Sequence, residues 1–378
     1  MIQKKWIANI EQYEPYRFFF PLGIILAFVG VFIWILFNSR LLGFYPREAH
    51  AQIMYFGFLG AFVTGFLMTA IPKMTQSRRA LAGEVVFATV LLILQVSLDI
   101  VNQWQQATNV YLVQNLFLIY FILRRFLVNK KIPFEGFIFI PFAFFMITAS
   151  FLLFRFNLIS HSEFLKIAGE CFILNLIFGI GSRLIPVLSR IANSTMPDQQ
   201  SKMKHSTLFF VLGVIFNLTY LVEVLFHNHT AILLRALFTL FFSITYLGLL
   251  KKPTQWSSLG VGLKVALLFC IFGTIISFFY DESLALTSRH LVYIGGISLL
   301  TLMIASRVML AHGGVSLQYE FEFGRILVVI IFFILAGILR FISESNTFSV
   351  YMLAAELFFL FSILLWLNKF FSILLKKD

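Results

Sequence analysis

The stretch FFFPLGIILAFVGVFIWILF, residues 18–37, decides the fold. It carries no charged side chain, and as a helix it would rise about 30 Å, the thickness of the hydrocarbon core of a bilayer. Inside that core a chain must satisfy its own backbone hydrogen bonds, which a helix does within one segment. Working outward, similar apolar runs predict spans near 50–71, 84–101, 110–123, 134–154, 164–188, 206–226, 231–250, 259–280, 290–311, 326–343 and 347–367. The stretch 110–123 is short, and its helix is expected to extend into the flanks. The predicted fold class is therefore all-α, a polytopic membrane bundle of about twelve transmembrane helices, organised as one domain over residues 1–378.

Composition points the same way. Of the 378 residues, 60% are hydrophobic and 12% charged, with 49 phenylalanines. Mean hydropathy is +0.91. A soluble domain carries about 25% charged residues, so the lipid bilayer is the expected partner of most of this surface. The formal charge of +12 does not mark a nucleic-acid binder, because the cations sit in short loops between apolar runs, the pattern that orients membrane proteins. With the N-terminus in the cytoplasm, the inner side takes Lys4, Lys5, Arg17, Lys73, Arg78, Arg79, Arg124, Arg125, Lys130, Lys131, Arg190, Lys202, Lys204, Lys251, Lys252, Arg325, Lys369, Lys376 and Lys377. The outer side takes only Arg40, Arg47, Arg155, Lys166, Arg235, Arg289 and Arg340. An even number of spans returns the C-terminus to the cytoplasm. The amphipathic opening MIQKKWIANIEQYEPYR leads to no small-residue cleavage site and is not read as a cleaved signal. Cys171 and Cys270 fall in apolar runs and form no CxxC motif. The polar segment 189–205 could join two six-helix halves, but no convincing internal repeat is visible.

Ionisable residues in a span are costly and therefore informative. His161, His227 and His229 fall in outer loops and His205 in an inner one. His50 and His290 open the second and tenth spans at the outer face, and His312 closes the tenth at the inner face. Twenty-two helical residues rise about 33 Å, so His290 and His312 cannot share one metal, whereas His50 and His290 lie at similar depth. After His50, the positions Met54, Gly57, Ala61 and Gly65 share a helix face, with Gly60 and Thr64 beside it. Small residues there suit tight helix packing or a flat wall for a porphyrin ring. Arg183 and Arg307 lie near inner span ends, able to snorkel or to grip a cofactor carboxylate. Lys264 is read as snorkelling. Asp99, Glu170, Glu223 and Glu356 are the acids within or at the ends of spans, and they form no obvious relay. No P-loop, Rossmann fingerprint, HExxH or nucleophile elbow is present.

Three segments, in order, resemble one family. His50-Ala-Gln-Ile-Met-Tyr-Phe-Gly57 with Gly65-Phe-Leu-Met-Thr-Ala-Ile-Pro72, then Gly179-Ile-Gly-Ser-Arg183-Leu-Ile-Pro186, then His290, Gly295 and Ser306-Arg307-Val-Met-Leu-Ala-His312-Gly-Gly314 are similar to the signature regions of the NnrS family. These are bacterial twelve-helix membrane proteins described as containing haem and copper and linked to nitric-oxide stress. The resemblance implies a multi-pass protein of the bacterial inner membrane that binds haem and allows copper. It implies cofactor contacts at His50, His290, His312, Arg183 and Arg307, with His50 and His290 as metal ligands near the outer face and the other three as an inner polar cluster. The chain departs from the family at Gln52, where a second histidine is usual, at Ile53 in place of glutamate, and at Val315 in place of arginine. Glutamine is a poor haem or copper ligand. Two other classes remain open: a transporter or channel without a cofactor, and an enzyme such as a nitric-oxide reductase or quinol oxidase. Against the enzyme stand the missing CxxCH and the missing crowded histidine set.

Overall fold

A computed structural model describes residues 14–129, 134–191, 199–280, 282–343 and 349–375. Lys4, Lys5, Lys130, Lys131, Lys376 and Lys377 lie outside these residues, as do the side chains of Lys202, Lys204 and His205. No strand occurs among the described residues. The long helices in chain order are α1 (Tyr16–Asn38), α2 (Arg47–Met74), α3 (Ala82–Ile100), α4 (Trp104–Asn129), α5 (Glu135–Arg155), α6 (His161–Leu188), α7 (Gln199–Phe226), α8 (Thr230–Thr245), α9 (Ser258–Phe279), α10 (282–312), α11 (Gly324–Ile342) and α12 (Val350–Leu374). Eleven of them are long and apolar enough to cross a membrane, and α8 is a shorter apolar helix of 16 residues.

Each predicted span is met by one helix. The short run at 110–123 grows into the 26 residues of α4. Hydropathy penalises its amides, but they are used inside the protein: Gln114 donates to Thr64 at 3.1 Å and Asn115 to the Tyr111 carbonyl at 2.8 Å. The span predicted at 231–250 stops at Thr245, because the chain turns at Gly248, whose φ of +69° suits glycine. The last helix sits further along the chain than predicted.

Three of these helices are not α-helical throughout. In α2, α6 and α10, π-helical segments cover Ile53–Leu59, Lys166–Cys171 and Leu291–Ser298. The widened turn thus recurs at every fourth helix, a periodicity that is hard to see in the side chains. Each segment contains glycine: Gly57, Gly169, and Gly295 with Gly296. Such segments are rare and are frequent at functional sites.

The helices group into two compact units. The first comprises Met1–Pro133, Val308–Ser316 and Leu367–Asp378, and the second Phe134–Arg307 and Leu317–Trp366. In the first, α1 lies along α2. Gly30 faces Met54, Gly23 faces Phe62 and Gly65 faces Phe19, each so close that a Cβ would come within 2.8 Å. The rings of Phe20 and Phe62 stack at 4.8 Å, and those of Phe56 and Tyr111 at 3.6 Å. In the second, Phe139, Phe178, Phe216, Phe238 and Phe242 form a continuous aromatic core with centroids 4.9 to 6.3 Å apart. The outer faces of the helices are apolar, with Phe32, Val90, Leu116, Phe145, Leu237 and Phe272 all exposed. Exposed apolar surface alongside buried polar groups is what a lipid solvent selects.

Candidate functional site

His50 sits in the first turn of α2, three residues before the π-helical segment. Its Nδ1 lies 2.7 Å from the Gly30 carbonyl on α1. A carbonyl only accepts, so Nδ1 carries the proton and the lone pair of the neutral ring lies on Nε2. The imidazole meets Trp34 edge-on at 5.8 Å, and Trp34 packs with Phe37 and Tyr45. That aromatic group stands at the end of α1, as aromatic residues do at membrane interfaces.

His290 has the same arrangement by another route. Its Nδ1 lies 2.8 Å from the Leu286 carbonyl one turn earlier, immediately before the π-helical segment of α10. Again the lone pair falls to Nε2. The ring of Tyr293 stands 5.9 Å away. Gly295 makes room for Phe269, and Gly296 for Cys270 of α9.

His312 belongs to the first unit and meets the opposite ends of the helices. Its Nδ1 lies against the Glu14 carboxylate, with Lys73 Nζ 2.6 Å from that nitrogen and 2.7 Å from Glu14 Oε1. Tyr16 packs on its ring at 6.0 Å. Burial pushes the Glu14 carboxyl up, but the hydrogen bonds and charge of His312 and Lys73 outweigh it and hold it below its ordinary value of 4.5. Arg17 donates to the Ile373 carbonyl in the same region. The ends of α2, α10 and α12 and the start of α1, all assigned to the inner side from their cations, therefore meet in one place.

The small-residue face after His50 is occupied by protein. Met54 covers Gly30, Val96 and Leu26 cover Gly57, and Phe19 and Phe20 cover Gly65. Tight helix packing accounts for that face, and a porphyrin does not lie flat against it. Gln52, where the family has histidine, is buried. Its Nε2 donates to Thr108 at 2.9 Å and to the Trp104 carbonyl at 3.2 Å, tying α2 to α4.

Arg183 and Arg307 are both in the second unit and use different partners. Arg307 pairs with the buried carboxylate of Glu320, which Arg190 also grips at 2.8 Å. Arg183 is exposed, and its guanidinium lies 5.6 Å from the Phe134 ring. Lys264 reaches back to the Lys251 carbonyl at 2.6 Å, as a snorkelling side chain does. His227 and His229 are exposed, and His227 lies 3.6 Å from Glu163.

The second unit holds a buried ion network that the sequence does not reveal. By sequence Lys166, Arg235 and Arg289 are outer-side cations, and Glu170 and Glu223 are unrelated acids. In the fold they converge. Glu223 takes Lys166 on one oxygen and Arg235 on the other, with Arg289 3.9 Å away. Glu170 lies 3.6 Å from Arg235 and accepts from Tyr220 at 2.7 Å. Arg235 also sits 3.6 Å over the Tyr220 ring. These residues come from four helices, α6, α7, α8 and α10. The one sequence signal was their shared position, within two turns of the outer ends of their spans. Removing three cations from the outer loops sharpens the inner bias of the remaining charges.

A family model described as NnrS protein matches residues 13–377. No curated protein matches the chain. The matched range takes in His50, Arg183, His290, Arg307 and His312 and every helix described above, and on that match the chain belongs to the NnrS family.

Proposed function

We propose that this is a multi-pass protein of the bacterial inner membrane that binds haem and acts in the response to nitric oxide and related nitrogen oxides. The supporting observation is the shared tautomer of His50 and His290. His50 and His290 each donate Nδ1–H to a backbone carbonyl, the arrangement by which proteins orient a ligating imidazole and raise its basicity. In this reading His50 and His290 would each offer Nε2 to a haem iron, for which a neutral imidazole is an ordinary ligand. Bound haem would supply an iron able to take nitric oxide or pass an electron. Arg183, exposed and without a carboxylate partner among the described residues, lies about 20 Å further along its helix than the level of His290, so it would serve a carboxylate of a group bound near the inner end of α6 rather than one held by His290.

Among the described residues no three His, Cys, Asp or Glu side chains gather into a metal site. Such a donor set would suit a haem, which needs few ligands from the protein, better than a copper ion held by protein alone. The inner bias of lysine and arginine supports cytoplasmic termini. The test is an optical spectrum of the purified, detergent-extracted protein with iron and copper analysis of the same sample. A Soret band with stoichiometric iron is expected; a colourless protein without iron overturns the haem reading.

A cofactor-free transporter is the second reading, favoured by the buried ion network and by interrupted helices, which secondary carriers use at their sites. Uptake into metal-free proteoliposomes would support it over the first.

A further inference from the structure

Among the described side chains, the ion network of the second unit does not balance. Three cations, Lys166, Arg235 and Arg289, face two carboxylates, Glu170 and Glu223. Four of the five are buried, and only Arg289 is partly open, with 24% of its side chain exposed. An uncompensated charge in a low-dielectric interior is costly, so buried charges are found paired. The carboxylate oxygens of Glu223 are already taken by Lys166 and Arg235. Among the described residues the one ion-pair contact of Arg289 is the approach to Glu223 at 3.9 Å, too long for a hydrogen bond.

A small cavity lies beside this surplus charge. It is lined by Glu170, Glu223, Arg235, Arg289, Thr274 and Ser277, with Ile232 and Val292 as apolar walls. The two hydroxyls come from α9. Thr274 donates to the Cys270 carbonyl and Ser277 to the Gly273 carbonyl, each at 2.7 Å, and Ser277 also meets the Ser288 hydroxyl at 2.9 Å. Both hydroxyls can rotate to donate into the cavity instead. The guanidinium of Arg289 offers a planar fork of N–H donors on the partly open side.

From this geometry we infer that the cavity between α6, α7, α8, α9 and α10 binds one small monovalent anion, held by Arg289 and Arg235. Its single negative charge brings the cluster to neutrality. Two carboxylates in the wall exclude a divalent anion by repulsion, and the small size of the cavity excludes a carboxylate with a bulky side chain. Arg289 adjoins His290 in the chain, but the cavity is lined by neither histidine assigned to haem and the inference does not depend on that assignment.

The test uses the full-length protein in detergent, with sodium gluconate replaced stepwise by sodium chloride or sodium nitrate at constant ionic strength, and reads the thermal midpoint. A saturable rise of about 2 °C is expected with at least one of the two small anions. A rise with nitrate alone identifies a planar oxyanion site, and with chloride alone a halide site. Arg289→Gln is expected to abolish the rise, and it should fold because no short ion pair is lost. Lys166→Met, which makes the cluster neutral by itself, is expected to abolish the rise as well. Arg155→Gln, at the end of α5, is expected to keep it. A midpoint indifferent to both anions, or a rise that persists in Arg289→Gln, overturns the proposal.

Discussion

The Nδ1–H of His50 donates to the carbonyl oxygen of Gly30, 2.7 Å away on the neighbouring helix. The missing side chain at Gly30 is what permits the approach: a Cβ there would lie 2.8 Å from Met54 Sδ and 3.0 Å from Ile53 Cγ2. Gly30→Leu is therefore expected to separate α1 from α2, costing about 1–3 kcal/mol of stability as overpacking does. It is also expected to lower haem content by misdirecting His50. The Soret-to-protein ratio checks the second effect, and full haem content in a folded variant would show that the Gly30 bond does not orient the ligand.

Replacing the ligands themselves is more direct. His50→Ala and His290→Ala are each expected to reduce haem per protein several-fold, whereas His205→Ala leaves it unchanged. Pyridine haemochrome assay of the purified variants measures this. Equal content in all four proteins would remove both histidines from the haem site.

Acid should weaken the first unit through Glu14. His312 and Lys73 hold its carboxyl below the ordinary 4.5 despite burial. A carboxylate whose folded pKa is depressed contributes stability that is fully present above the unfolded value and lost as pH falls through the folded one. Stability is thus expected to fall below about pH 4.5, near the reference carboxylate value. Glu14→Gln should lack that part of the decline while being less stable at neutral pH. Thermal midpoints between pH 3 and 7 on both proteins decide it, and parallel profiles would show that Glu14 gains nothing from its partners.

Glu223 neutralises two buried cations at once. Glu223→Gln leaves Lys166 and Arg235 without their main counter-charge and is expected to cost about 3–5 kcal/mol, the penalty for breaking a buried pair. A large drop in the monodisperse fraction after mild heating is the expected sign. A midpoint within a degree of the parent would mean that the cluster adjusts its own charge.

Glu356 on α12 is buried, and neither of its carboxylate oxygens has a hydrogen-bond partner among the described residues. Glu356→Leu removes the cost of an unsatisfied polar group, about 1–3 kcal/mol. It is therefore expected to raise the thermal midpoint without changing haem content. A lower midpoint would instead show that the carboxyl is in use.

The helices and their order were legible in the sequence because lipid imposes a one-dimensional rule. A segment that crosses must be apolar over its whole length, and FFFPLGIILAFVGVFIWILF at 18–37 needs no partner to show it. The alternation of cations between loops is equally local, as are the family motifs around His50, Arg183 and His290. Tertiary structure alone decided which side chains meet. The porphyrin-wall alternative for the face of Gly57 and Gly65 closed only when α1 was seen filling it. Gln52, a departure from the family pattern in sequence, became a tie between α2 and α4. Lys166, Glu223, Arg235 and Arg289 lie on separate helices, so no window of sequence contains them together. Pairing of charge is a property of three-dimensional distance, and it was the packing of α6, α7, α8 and α10 that set those distances.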